Sequence, residues 1–105
     1  MIKLHGNNKK NPKLYHLYEI IDKETGDVFK YGISGDPINP KDGLSKRLRD
    51  QVDLGNLYAG WKRYFGRILV KGIKGNAKAR VIEDEYIEAY FKKNGVYPVG
   101  NRDRG

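Results

Sequence analysis

A chain of 105 residues with 21 lysines and arginines against 13 aspartates and glutamates has a formal charge of +8. It is long enough for one domain with a modest core and too short for a second. The positive excess points to a polyanionic partner, while the many acidic residues argue for a folded basic domain over a disordered polycation. The absence of cysteine excludes disulfides, zinc–thiolate sites and thiol nucleophiles, so any bound metal must sit mainly on oxygen. No apolar run approaches the ~20 residues needed to span a bilayer, and no membrane partner is expected.

Residues 1–13 are polar and aperiodic, a flexible lead-in to a single domain over residues 14–105. Two runs rich in strand formers follow, residues 14–21 and 28–33, separated by a polar turn containing Thr25-Gly26. This is the pattern of a β-hairpin. Its first strand carries His16-Leu17-Tyr18 and its second Lys30-Tyr31-Gly32, which places polar side chains where a packed sheet would have aliphatic ones. Residues 35–43, with two prolines and two glycines, form a loop.

Residues 44–54 read as a helix with Leu44, Leu48 and Val52 on one face and Gly55 as its stop. On that helix Arg47 falls at the edge of the apolar face, where packing can hold it for a phosphate, and Arg49 points further away. Residues 56–64 interleave Tyr58, Trp61 and Tyr64 with Lys62 and Arg63. The mixture suits base stacking and phosphate binding, or Trp61 and Tyr64 are core residues of a short helix or turn. Residues 65–73 are a third strand.

A second helix over residues 75–94 has Ala79, Ile82, Tyr86, Ile87 and Tyr90 on its apolar face. Glu83 lies within that face, whereas Asp84, Glu85 and Glu88 point to solvent. A carboxylate on a buried face needs a partner, either Arg80, Arg47, a tyrosine hydroxyl or a divalent cation. The remaining residues are a non-helical tail with an ordered turn near Pro98, Gly100 and Asn101. The fold class is therefore α+β, a small three-stranded antiparallel sheet begun by an N-terminal hairpin and flanked by helices.

The order hairpin, helix, strand, helix, with Tyr18, Lys30 or Tyr31, Arg47 and Glu83 in sequence, resembles the GIY-YIG endonuclease superfamily over nearly the whole chain. His16-Leu17-Tyr18 and Lys30-Tyr31-Gly32 match the two triplets loosely, without the first glycine, and Arg47-Leu48, Glu83 with Ile87, and Asn101 match the later positions. Aligning the second triplet by its tyrosine makes Tyr31 the reactive residue. Aligning it by its glycine makes that residue Lys30, which the run Lys-Tyr-Gly-Ile-Ser favours. The two lie on opposite strand faces, and a slip of one residue in the hairpin exchanges them.

The resemblance implies metal-dependent hydrolysis of nucleic-acid phosphodiesters, DNA ahead of RNA. Mg²⁺ or Mn²⁺ would be held by Glu83, with Tyr18 and Lys30 acting on water, Arg47 on the phosphoryl oxygens, Asn101 steadying the site and His16 as a second proton carrier. Lys46, Arg49, Lys62, Arg63 and Arg80 would contact nucleic acid. A further similarity, to the C-terminal nuclease domains of bacterial polymorphic toxins, implies a domain carried on a larger secreted protein, acting in the cytoplasm of a target cell and blocked by a cognate immunity protein. The alternatives are a stand-alone repair, restriction or mobile-element nuclease and a non-catalytic nucleic-acid-binding module.

Overall fold

In the computed structural model, which describes residues 13–104, three antiparallel strands form one sheet in the order β2-β1-β3. The strands are β1 (Leu14–Asp22), β2 (Asp27–Ser34) and β3 (Tyr64–Lys74), and the helices are α1 (Lys46–Ala59) and α2 (Asn76–Asn94), followed by a 3-10 helix, Val99–Arg104. The expected lead-in, residues 1–12, lies outside the described residues. Lys13 is anchored: its carbonyl accepts the Gly75 N–H at 2.9 Å.

Side chains alternate across a strand, and β1 shows what this does to the core. Tyr18 and Ile20 pack with Leu48 and Val52 of α1, whereas Leu17 packs with Ile73 of β3 and Ala79 of α2. The helices therefore cover opposite faces of the sheet, with β1 between them.

The register of the hairpin contains one irregularity. Near the turn Asp22 pairs with Asp27 and Ile21 with Val28, but Ile20 pairs with Lys30, so Phe29 is the extra residue of a β-bulge. Beyond it Glu19 pairs with Tyr31 and Tyr18 with Gly32. Counted back from the turn without the bulge, Tyr18 would lie opposite Tyr31. The extra residue puts Lys30 and Gly32 on the face of Tyr18 and turns Tyr31 to the α2 side, where its ring meets Tyr86 edge-on at 5.6 Å between centroids.

The first helix differs from its expected bounds. It runs through Gly55 and ends at Gly60, whose φ of 81° is a left-handed C-cap and whose N–H donates to the Asn56 carbonyl at 2.9 Å. Gly55 is kept for contact, not termination: a Cβ there would lie 2.9 Å from Cδ2 of Tyr64. Residues 56–59 thus complete α1, and Trp61 is 48% exposed just past its end, while Tyr64 begins β3 half-buried against Phe29. The second helix matches its expected face in part, with Ala79, Glu83 and Ile87 buried and Asp84, Glu85 and Glu88 exposed, while Tyr86, expected on the apolar face, is exposed at its margin. The tail expected to be non-helical holds the 3-10 helix, and its Asn101 is buried against β2.

Candidate active site

Tyr18, Lys30, Gly32, Arg47, Arg80 and Glu83 line one cleft of about 230 Å³ at the β2 edge of the sheet. The hairpin supplies the first three, the first turn of α1 supplies Arg47, and one face of α2 supplies Arg80 and Glu83, which are three residues apart. A second hollow of about 300 Å³ shares Ile33, Arg47 and Arg80 with it and adds Ser34, Asp36 and Asn76. The two form one polar groove across the edge.

Tyr18 is fully buried, and its hydroxyl donates to Gln51 Oε1 at 2.8 Å. Burial raises its pKa above the ordinary tyrosine value, and Glu83 adds to this, while the adjacent Arg47 guanidinium and Gln51 pull it back. The phenol is therefore protonated at neutral pH. Its ring lies against the backbone of β2: a Cβ on Gly32 would fall 2.4 Å from both Cζ and the hydroxyl oxygen of Tyr18, so this strand position admits only glycine without displacement.

His16, also buried, lies on the same face with its ring centroid 6.2 Å from that of Tyr18. Its Nε2 is hydrogen-bonded to Ser45 Oγ at 2.9 Å, and desolvation lowers its pKa. Ser45 is the N-cap residue of α1, yet its hydroxyl does not cap the helix. Asp36 takes part of that role from the preceding loop, its Oδ2 accepting the Arg47 N–H at 3.1 Å. Asn101 holds β2 from outside the sheet: its side-chain oxygen accepts the Tyr31 N–H at 2.9 Å, and its amide donates to the Tyr31 carbonyl at 3.0 Å. The residue between Lys30 and Gly32 is thus clamped on its backbone.

A family model for URI fold toxin 2, Tox-URI2, matches residues 6–95. The chain belongs to the URI fold toxin 2 family. No curated protein and no solved structure matches it. Among the described residues of this toxin domain, no helix is long and apolar enough to cross a membrane.

Of the residues singled out in the sequence, the fold brings Tyr18, Lys30, Arg47, Arg80 and Glu83 of the toxin domain to the cleft. Tyr31 lies on the opposite face. The helical arginines exchange their expected surroundings: Arg47 is exposed at the cleft mouth, and Arg49 is half-buried, bound to Asp42 through Nε at 2.9 Å and a terminal nitrogen at 3.1 Å. Lys46 pairs with Asp50 at 2.6 Å, Lys62 is exposed, and Arg63 grips Asp22 through two hydrogen bonds of 2.9 and 2.8 Å. None of these four lines the cleft.

Gln51, Ser45, Asp36 and Gly32 complete the surroundings of the site without having been picked out as candidates. Gln51 could have been found from its place one turn after Arg47 on the same helix face. Glu83 is the one carboxylate lining the cleft, and no group of three or more histidines and carboxylates that could hold a metal occurs among the described residues. A single hard oxygen donor fits Mg²⁺ or Mn²⁺ retaining most of its water and unsuits the site for a fully protein-caged ion.

Proposed function

We propose that this toxin domain is a metal-dependent endonuclease of GIY-YIG type that hydrolyses phosphodiester bonds, with DNA as substrate, in the cytoplasm of a target cell. The observation that carries the reading is the convergence of Tyr18, Lys30, Arg47, Arg80 and Glu83, from three separate parts of the chain, on one polar cleft. Three cations around one carboxylate suit a phosphate diester and have no use in a packed interior.

Glu83 would hold the divalent ion, which when bound polarises the phosphoryl oxygen and stabilises the departing one. The Tyr18 hydroxyl donates its hydrogen bond to Gln51 Oε1 and has its lone pairs for a hydrogen bond from the attacking water, so at neutral pH it orients that water. Lys30, which lines the cleft on the same face, places positive charge beside the attack. The water oxygen bonds to phosphorus as the bond to the departing sugar oxygen breaks, the water's proton passing to solvent and the departing oxygen taking one from solvent, while Arg47 and Arg80 hold the charge gathering on the phosphoryl oxygens. Tyr18 has no exposed surface in the free protein, so substrate entry has to open the cleft around its hydroxyl.

The deciding experiment incubates the domain with plasmid DNA and with RNA, in Mg²⁺ and in EDTA, beside a Glu83→Gln variant. Cleavage by the parent in Mg²⁺, lost in EDTA and in Glu83→Gln while nucleic-acid binding persists, supports the proposal. Cleavage by Glu83→Gln at the parental rate overturns it, and binding without cleavage by the parent favours a non-catalytic nucleic-acid module. An immunity protein that covers this cleft would abolish cleavage on forming a complex.

A further inference from the structure

Beside the cleft, on the α1 face, lies a hollow larger than either one described above, and the proposed chemistry makes no use of it. It measures about 450 Å³, within the range of small-molecule pockets. Phe29 and Tyr64 form a ring pair on the sheet side, 5.0 Å between centroids, and Leu54 and Tyr58 form the wall from α1. Gly55 keeps that wall low over Tyr64.

We infer that this hollow receives an unpaired nucleobase of the substrate strand next to the bond that is cut, so that the nuclease acts on single-stranded or locally opened nucleic acid. The inference rests on the nuclease reading and deepens it.

Two links tie the hollow to the cleft. Lys30 lines both, so one ammonium sits between a base in the hollow and its phosphate in the cleft. Gln51 lines the hollow and accepts the hydrogen bond of the Tyr18 hydroxyl. The remaining chemistry suits a flat aromatic heterocycle attached to an anion. Tyr58 is 84% exposed at the rim, a ring that burial in the core does not account for. Arg63 is fixed by Asp22 and lies 5.2 Å from the Tyr64 ring centroid, presenting a rigid planar cation to whatever enters. Aromatic faces and positive charge along one groove are the means by which proteins hold unstacked bases. A base within a duplex is paired and stacked, and it enters such a site only once extruded.

The test measures binding by fluorescence anisotropy in EDTA, where cleavage does not intervene, with a short single-stranded DNA oligonucleotide and its duplex as probes. The single strand should bind more tightly than the duplex. Tyr58→Ala should weaken single-strand binding about tenfold, the scale of one lost base stack, Tyr58→Phe should retain it, and Leu57→Ala on the same exposed helix end should change nothing. An abasic residue placed at successive positions should weaken parental binding at one position and leave Tyr58→Ala unaffected there.

Equal affinity for single strand and duplex, or abasic effects identical in parent and Tyr58→Ala, would overturn the inference. Loss of cleavage chemistry is read separately, from the parent against Glu83→Gln. The base pocket can therefore fail while the nuclease stands, and the nuclease can fail while base binding stands.

Discussion

Leu17 and Tyr18 are neighbours in β1 and both are fully buried, yet they belong to different parts of the molecule. The α2 side of the strand is mostly conventional packing: Leu17, Ile73 and Ala79 with aliphatic neighbours, and, on β1 itself, a buried carboxylate, Glu19, held by Arg67 of the adjacent strand. The α1 side buries Tyr18 and His16, each hydrogen-bonded to a side chain at the start or middle of α1. A buried polar group is tolerated only with its partner in place, so the α1 face is organised by hydrogen bonds where the α2 face is organised by volume. Substitutions in the hairpin should therefore affect activity where the side chain faces α1 and mainly stability where it faces α2.

The largest contrast is expected between Tyr18→Phe and Tyr31→Phe. Both rings still fill their space, so both variants should stay within about 1 kcal/mol of parental stability, but Tyr18→Phe should be nearly inactive and Tyr31→Phe largely active. Lys30→Ala should resemble Tyr18→Phe. Single-turnover cleavage at matched folded fraction checks this, and an inactive Tyr31→Phe beside an active Lys30→Ala would reverse the assignment of the faces.

Arg47→Ala should lower the cleavage rate by about 10²–10³-fold, the scale of one transition-state donor, and Arg47→Lys should not restore it, because an ammonium lacks the planar two-pronged contact. Full rescue by lysine would reduce Arg47 to a general positive charge. At Gly32 the two effects meet. Gly32→Ala drives a methyl into the end of the Tyr18 ring and should cost about 1–3 kcal/mol in a denaturant titration, with activity falling further than stability explains. A variant as stable and active as the parent would show that the strand and ring can separate cheaply.

The smallest effect is a pH dependence of stability. His16 has its pKa lowered below the ordinary value of 6.5 by burial, so the unfolded chain binds a proton there more readily than the folded one. The stability associated with neutral His16 is present above pH 6.5 and is lost as pH falls from there through the folded value. Asp36, which acts in the opposite direction on His16, and Ser45 face the same ring. His16→Gln should flatten the dependence in denaturant titrations across this window; an unchanged slope would assign it to other groups.

Much of this organisation was legible in the chain because it depends on local periodicity. The hairpin, the third strand and the buried face of α2, with Glu83 on it, follow from which residues recur at intervals of two or of three to four. What was not legible depends on distant contacts. The choice between Lys30 and Tyr31 turns on the single extra residue Phe29, and a bulge has no signature in a run of strand-forming residues. Gly55 reads as a helix stop until Tyr64 is packed against it. Gln51 is 33 residues from Tyr18 and Ser45 is 29 from His16, separations at which sequence spacing carries no information about pairing. The base-sized hollow is bounded by α1, β2 and β3, so it exists only after the sheet has closed.

The attachment of Asn101 to Tyr31 has a further consequence. Strand β2 is an edge of the sheet, and an uncovered edge is a template on which another copy of the chain can add a strand. One amide side chain occupies both the donor and the acceptor of the central residue of that edge, giving it the pairing a neighbouring strand would have given and blocking any continuous ladder there. The 3-10 helix therefore covers the middle of that edge through one side chain. Without that attachment the strand bearing Lys30 and Gly32 would be open to invasion, so the proposed reactive surface and the aggregation hazard are the same few residues.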